Sequence, residues 1–393
     1  MRFVGIDIAA EKHFVAIVDA GGAVRRKPTA FAEDADGYAK LFDLLGDPGD
    51  LLVAMEATGH YWKNLFAALV TRGIAVALLN PLRTHRFAGE DLQRAHTDRI
   101  DALGIARFAA QKRPPVTPLT ASTTEELREL VRFRDRVVQD HGDRLRQLHR
   151  LVDLGFPEFT RHVDLDSAMA LAILRDYPTA AAFHGLSAHA LAAVRYDGRH
   201  TIGVHLAQAL IDAAARSVGQ HHGEVYRLQI RYACEDLELL GRRRRALERD
   251  IERRLDNHDL GPLLTSIDGI GAQTAARLIA ELGDPAQFRS AGALAAHVGV
   301  VPATRHSGKS APVHASLSPI GHRRVRAKLW MPALSAIQHN PWIRAYYTGL
   351  VARGKLKKVA IVAAMRKLLI AVYAVAKTRR PFEPRVAAVE TQA

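Results

Sequence analysis

Position 7 constrains this sequence more tightly than any other. Phe3-Val4-Gly5-Ile6-Asp7-Ile8-Ala9-Ala10-Glu11 and His13-Phe14-Val15-Ala16-Ile17-Val18-Asp19 are two short apolar runs joined by a polar tip. That is the pattern of a β-hairpin whose strands are mostly buried. Side chains alternate along a strand, so Val4, Ile6 and Ile8 share one face and Gly5, Asp7 and Ala9 the other. A carboxylate therefore stands between two residues too small to cover it. Buried and ionised, it costs on the order of several kcal/mol unless a cation compensates it. A metal ion does this economically; a buried arginine or a set of backbone amides is the alternative.

The chain has 393 residues, room for two or three domains, and its 48% hydrophobic content is that of a globular protein. A net charge of +14 points to a polyanionic partner, nucleic acid before membrane. The single cysteine, Cys234, excludes a disulfide framework and a multi-cysteine zinc site, and reads as a packing residue on a helix. Nothing near the start reads as a signal peptide. The most apolar stretch, Val359 to Ala376, is interrupted by Arg366 and Lys367 and reads as too short to span a membrane. The expectation is a soluble cytoplasmic protein associated with the nucleoid.

After the hairpin, residues 23–31 suit a third strand and 34–45 a helix. Leu51 to Met55 is a buried strand ending at Glu56, a helix opens at Thr58 or Gly59 and runs to about Thr71, and residues 74–79 form a strand stopped by Asn80-Pro81. This β-β-β-α-β-α-β order is that of an RNase H-like domain, with the first strand central and Glu56 ending its neighbour. A helix over 98–111 closes the domain, and Pro114, Pro115 and Pro118 mark a linker.

The middle third is helical. Ser122-x-x-Glu125 and Thr123-x-x-Glu126 both fit a capping box. Val131, Val138, Leu145 and Val152 recur every seven residues. A second helix repeats Ala233, Leu240 and Leu247 beside Ile230, Leu237 and Ile251. Two heptad helices flanking a shorter insert (159–218) suggest an antiparallel coiled-coil arm or a dimerisation stalk, interrupted by Arg134, His141 and Arg244. Arg242 to Arg245 is a basic run that faces solvent or phosphates. The expected divisions are 1–117, 118–259, 260–380 and a tail, 381–393.

The last region is mostly α. Ile267-Asp268-Gly269-Ile270-Gly271 before a helix over 272–282 has the form of a helix-hairpin-helix turn. Such a turn offers N–H groups, at Gly269 and Gly271 here, to a phosphate; a plain tight turn is the alternative. Residues 301–380 hold sixteen Lys or Arg and no Asp or Glu, whereas a merely solvated face mixes both signs. Arg305, Lys309, Arg323, Arg324 and Arg326 are candidate nucleic-acid contacts there. Trp330, Trp342, Tyr346 and Tyr347 either stack bases or belong to the core.

Asp98 and Asp101 lie three apart, so a helix puts both on one face; capping and the helix dipole are the structural alternative. With Asp7 and Glu56 they make four carboxylates, a set able to hold two Mg²⁺ ions roughly 4 Å apart for phosphoryl transfer. Oxygen ligands favour Mg²⁺ or Mn²⁺ over zinc.

Asp7 in Val-Gly-Ile-Asp, Glu56-Ala57-Thr58-Gly59 and Thr97-Asp98-Arg99-Ile100-Asp101-Ala102 resemble the DEDD-motif insertion-sequence transposases. So do Gly269-Ile270-Gly271, Ala295-Ala296-His297-Val298-Gly299, Pro302 and Ser307-Gly308-Lys309. The resemblance implies a RuvC-like N-terminal domain whose Asp7, Glu56, Asp98 and Asp101 bind metal, and a C-terminal domain whose Ser307 is the nucleophile. It also implies action on DNA, direction by a structured RNA, and dimers that pair into tetramers. His96 stands where lysine is usual, and Ser318-Pro319-Ile320-Gly321 replaces a more basic turn. Read from its own surroundings, Ser307 is a polar-loop serine of the kind found in turns.

Other functions compete with this one. A nuclease or junction resolvase would use the four acids with water and leave Ser307 incidental. An actin-like kinase needs a Gly/Thr/Ser phosphate loop after the first Asp, and Ile8-Ala9-Ala10-Glu11 does not provide it. A non-catalytic protein that bridges nucleic acids would bind without metal dependence.

Overall fold

A computed structural model describes residues 1–90, 97–119, 121–302, 317 and 319–384. The chain forms two compact units, Met1–Thr120 and Ala121–Ala393. The expected middle and C-terminal regions thus share one unit.

In the first unit, β1 (Arg2–Asp7), β2 (Lys12–Val18), β3 (Val24–Ala32), α1 (Ala35–Leu45), β4 (Leu51–Glu56), α2 (Trp62–Thr71), β5 (Ala75–Leu79), α3 (Pro81–Glu90) and α4 (Asp98–Lys112) follow one another. The sheet order is β3-β2-β1-β4-β5, so β1 is central as expected. β1 pairs antiparallel with β2 and parallel with β4.

The alternation read from the sequence separates two cores. Val4 and Ile6 pack with Leu41, Leu65 and Leu69 of α1 and α2; Phe3 packs with Ala102, Ile105 and Ala106 of α4. Gly5 lies beneath α4. A Cβ there would stand 2.2 Å from both the Ala102 carbonyl oxygen and the Ala106 nitrogen, so only glycine lets the helix backbone rest on this strand.

Two local readings change. α2 starts at Trp62 rather than 58–59, because Gly59 turns the chain with a φ of +59°. Asn80-Pro81 stops β5 but also starts α3: the Leu82 N–H donates to Asn80 Oδ1 at 2.9 Å, and Pro81 takes the first helical position.

The second unit is helical: α5 (Ser122–Gly155), α6 (Ala168–Asp176), α7 (Ala188–Ala192), a small hairpin of β6 (Arg195–Tyr196) and β7 (His200–Thr201), α8 (Val204–Ala215), α9 (Glu224–Asp256), α10 (Gly261–Thr265), α11 (Ala272–Leu282), α12 (Ala291–Val298), α13 (Arg323–Lys328), α14 (Trp330–His339), α15 (Pro341–Ala352) and α16 (Lys357–Thr378). The capping boxes do not form: α5 begins after Ala121, which caps through no side chain, and Ser122 already lies inside the helix.

α5 and α9 run antiparallel. Arg254 meets Glu126 at 2.7 Å, Arg134 meets Glu248 at 3.0 Å and Arg144 meets Asp236 at 2.9 Å, partners that converge in number as the two helices pass. Arg134 therefore bridges the pair where it was expected to break a seam. Val131, Val152, Ile230, Leu237 and Ile251 are buried, whereas Val138, Leu145, Leu240 and Leu247 are half-buried. The insert packs its own core on the far part of the pair, around Phe156, Phe159 and Phe183. Cys234 is buried there and its thiol is pushed up to about 12 by that burial, as a packing residue should be.

The near end of α5 joins the C-terminal core. Leu127 and Val131 share a cluster with α11, α12, α14 and α16. α16 is long and apolar enough to cross a membrane, which corrects the reading of Val359–Ala376 as too short. Its Leu368, Leu369, Val372 and Val375 are buried in this core. Trp330, Trp342 and Tyr347 pack against the same core, and the Lys367 ammonium lies 4.0 Å from the Trp342 ring centre and 5.0 Å from that of Tyr346.

Gly5→Ala should destabilise the first unit by about 2–3 kcal/mol or more, because a methyl group there meets backbone that cannot yield. Urea unfolding followed by hydrogen exchange should show the loss in β1 and α4, with α5 and α9 unchanged.

Candidate active site and nucleic-acid interface

Asp7 ends β1 and Glu56 ends β4. The strands are parallel with Ile6 opposite Met55, which brings the two carboxylates to the same edge. The approach of α4 to Gly5 brings the start of that helix to the edge as well. Thr97 caps α4, its Oγ1 accepting from the Ile100 N–H at 3.4 Å. Asp98 is thus free of the capping role and shares the first turn with Asp101.

Asp7 registers the result. Burial, then the charges of Asp101, Asp98 and Glu56, push its carboxyl up to about 7, against a small opposing hydrogen bond from the Ile8 N–H. No arginine or lysine pairs with Asp7 among the described residues. Glu56 is held by Thr84, whose hydroxyl donates to Oε1 at 2.5 Å. Among the described residues no three acidic, histidine or cysteine groups are already gathered as a metal-binding set. What fits a hard divalent cation is the donor chemistry: four carboxylates offering oxygen ligands only, three of them raising Asp7 by their charge.

A second layer behind this edge was not foreseen. His13 is fully buried. The Ala9 N–H donates to its Nδ1 at 3.3 Å, so the proton sits on Nε2, which donates to Glu33 Oε2 at 2.7 Å. Tyr38 also donates to Glu33, at 2.8 Å, and Asn64 at 3.3 Å. Burial works to raise the Glu33 pKa, but Tyr38, His13 and Asn64 outweigh it and hold the carboxylate below its usual range. This network anchors the turn that follows Asp7. Its one sequence signal is a histidine at an inward position of a buried strand.

In the second unit, Ser307, Arg305 and Lys309 lie outside the described residues, as do His96 and Ser318. The described residues flanking Ser307 draw together. Pro302 bridges to Leu317, the His322 N–H donates to the His297 carbonyl at 2.9 Å, and Gly321 rests on Gly299 so closely that a Cβ would stand 2.5 Å from the Gly299 Cα. Arg326 Nη1 reaches the carbonyls of Gly299 and Ile320 at 3.4 and 3.5 Å. Arg326, a candidate nucleic-acid contact, is half-buried and reaches this neck through Nη1.

Glu281 fixes the neck to α5. Almost fully buried, it accepts both Arg132 nitrogens at 3.0 and 2.8 Å and meets His322 Nε2 at 3.4 Å. Burial alone would raise its pKa; His322 and Arg132 hold it far below the usual carboxylate range.

Arg323 and Arg324 are exposed and line a cleft of about 680 Å³ with Lys328, Arg136 and Arg146. The one carboxylate among the described residues that line the cleft, Asp135, is occupied by two Arg277 nitrogens. Gly269 has a φ of +101°, and a Cβ there would stand 2.5 Å from that of Ala336, so packing accounts for this glycine. Gly271 caps α11 and is exposed with open space in front of it.

Residues 4–157 match a DEDD transposase model, and residues 261–348 match that of the IS116/IS110/IS902 transposases. The chain belongs to this transposase family. Its four acids lie within the first match and the Ser307 segment within the second. The chain is 27% identical to the pilin gene-inverting protein of Moraxella bovis over 86% of its own length and 83% of that protein's. It is 26% identical to the 43.6 kDa protein of insertion element IS110 from Streptomyces coelicolor, over 98% and 96% of the two chains. It is also 26% identical to the 44.8 kDa protein of insertion element IS116 from Streptomyces clavuligerus, over 99% and 98%.

Asp7 makes stability depend on pH in a defined sense. Its pKa is about 7 folded and near 3.8 unfolded, so the native state holds an extra proton between those values. That contribution is intact below about pH 4 and lost as pH rises through 7. In chelator, the urea midpoint of the first unit should fall across this window, and Asp7→Asn should flatten the fall.

Proposed function

We propose that this chain is a DNA transposase and recombinase that cuts and rejoins strands by phosphoryl transfer. Asp7, Glu56, Asp98 and Asp101 hold Mg²⁺ or Mn²⁺, and Ser307 is the nucleophile. The observation that carries the reading is the elevated Asp7, ringed by three further carboxylates in a transposase-family chain. An RNase H-like identity for the first unit is supported by its strand order and by the acids at the ends of adjacent parallel strands.

A divalent cation held by these acids would neutralise charge on the phosphoryl oxygens and lower the pKa of an attacking hydroxyl. The chain's own groups do the rest. Ser307 Oγ loses its proton and bonds to phosphorus, one phosphorus–oxygen bond to a deoxyribose breaks, and the departing oxygen takes up a proton. Rejoining is the reverse, with a strand hydroxyl displacing the serine. The number of phosphate ester bonds stays constant, so no external energy source is required. Inversion of a gene, the activity named for the Moraxella relative, is a cut-and-rejoin reaction of this kind.

The cleft beside Arg323 and Arg324 supports backbone binding, since its carboxylate is already neutralised and Arg136, Arg323 and Lys328 carry no ion pair among the described residues. The structured RNA, the dimer and tetramer, and the cytoplasmic location belong to the same proposal.

Asp7→Asn should abolish strand cleavage while leaving DNA affinity within about twofold, because a neutral amide cannot support the cation. Cleavage by a folded Asp7→Asn protein would remove the metal role. End-labelled DNA should be trapped on denatured protein, lost in Ser307→Ala and retained in Ser310→Ala. Cleavage with no adduct would return the chemistry to a water-using nuclease. Charge reversal at Arg323 and Arg324 should reduce the log–log salt slope of binding by about 1 to 2.

A further inference from the structure

A second basic cavity of the second unit shares no lining residue with the cleft and lies between the α5–α9 pair and the insert. It measures about 420 Å³. Leu171 and Leu237, both buried, give it an apolar floor, and Tyr196 stands at its side. The basic run of α9 faces it through Arg242, Arg244 and Arg245, joined by Arg175 and by Arg195 from the small hairpin.

The balance of partners here is uneven. Three carboxylates reach the cavity, and each is engaged. Asp166 faces buried His141 at 3.3 Å. Asp197 accepts from the His200 ring and from backbone N–H groups in its own turn, with the ring the leading cause of its lowered pKa. Glu238 is shared between Arg175 at 3.4 Å and Arg242 at 3.9 Å. Arg195, Arg244 and Arg245 are left with no carboxylate in ion-pair reach among the described residues.

Arg244 is half-buried, and Arg245 folds back toward the floor: a Cβ on Gly241 would stand 3.6 Å from its guanidinium. Arg195, Arg244 and Arg245 line one cavity without an ion-pair partner of their own among the described residues, and a phosphate supplies one with forked hydrogen bonds. The floor is different in kind. An apolar base with an aromatic side suits a planar heterocycle. Phosphate-binding rim and base-accepting floor together describe one nucleotide.

We propose that this cavity takes a single unpaired nucleotide of a polynucleotide strand, its base on the Leu171–Leu237 floor against Tyr196 and its flanking phosphates on Arg195, Arg244 and Arg245. The rim arginines at 195 and 245 are exposed and the floor is buried, so a strand can cross the mouth while leaving one base inside. RNA and DNA present the same phosphate and ring chemistry. The cavity lies on residues that neither transposase model covers as a whole, since α6, the hairpin and α9 fall between the two matches. The proposal rests on the chain acting on nucleic acid, but not on the carboxylates or on Ser307.

The test uses the full chain and fluorescein-labelled twelve-residue oligo(U) and oligo(dT), each also made with one 5-iodouracil. At about 0.15 M salt the triple variant Arg195→Gln, Arg244→Gln, Arg245→Gln should bind at least about tenfold more weakly, with the salt slope reduced by about 2. The Arg231→Gln, Arg249→Gln pair, on exposed positions of the same helix, should bind as the parent does. Ala168→Trp fills the mouth and keeps every charge, so it separates lost binding from a misfolded charge variant; it should weaken binding comparably. Irradiation should crosslink the iodinated strand to the peptide bearing Tyr196, and Ala168→Trp should abolish that crosslink. Stronger crosslinking to one of the two strands assigns the source. Unchanged affinity in both the triple variant and Ala168→Trp, or no crosslink at Tyr196, would overturn the proposal. So would displacement of the oligonucleotide by equimolar inorganic phosphate, which would make the cavity a simple anion site. A parent chain that binds neither strand would instead overturn the proposed function itself.

Discussion

The contact of α4 with Gly5 is the constraint from which the first unit follows. Side chains normally intervene between a helix and a sheet; here backbone meets backbone at one strand position. That closeness fixes the phase of α4, so that Ala102 and Ala106 face the sheet and Asp98 and Asp101 fall at the sheet edge. Two strand ends then supply Asp7 and Glu56. The cost is electrostatic: burial and the like charges of Asp101, Asp98 and Glu56 crowd a half-buried carboxyl and raise it.

The second unit solves a different problem, how to hold a long helical pair and a strongly basic tail in one body. Ion pairs placed between helices do it. Arg132 with Glu281 and Arg277 with Asp135 join α5 to α11, and Arg134 with Glu248 joins α5 to α9. Glu281 and Asp135 are the acids that face the arginines of the cleft, and both are consumed in these structural roles. Arg136, Arg323 and Lys328 on the outward side consequently have no ion-pair partner among the described residues.

The parts of the fold that were legible in the sequence are those set by local periodicity. Alternation along Val4 to Asp7 separated the two faces of β1, and the three-residue spacing of Asp98 and Asp101 gave their common side. The Cys234 reading follows from the same logic. Less legible were features whose partners are distant in sequence. His13 and Glu33 are twenty residues apart and Arg132 and Glu281 far more, so neither network leaves a local pattern. Arg134 looked like a defect in a heptad because its partner lies on another helix. The capping boxes show the opposite error, a correct local motif displaced when α5 began one residue early. The contacts of Arg326 Nη1 with the Gly299 and Ile320 carbonyls likewise leave no local pattern in the sequence.

The central claim is that the ends of β1 and β4 and the first turn of α4 form one divalent-cation site. Loading the chain with Fe²⁺ in place of Mg²⁺ and adding ascorbate and peroxide produces hydroxyl radicals that cut the backbone next to the bound ion. The account predicts cuts near residues 7, 56 and 98–101, suppressed by excess Mg²⁺ and absent in Asp7→Asn. Cuts confined to other segments, or cuts at these positions that Mg²⁺ does not suppress, would contradict it.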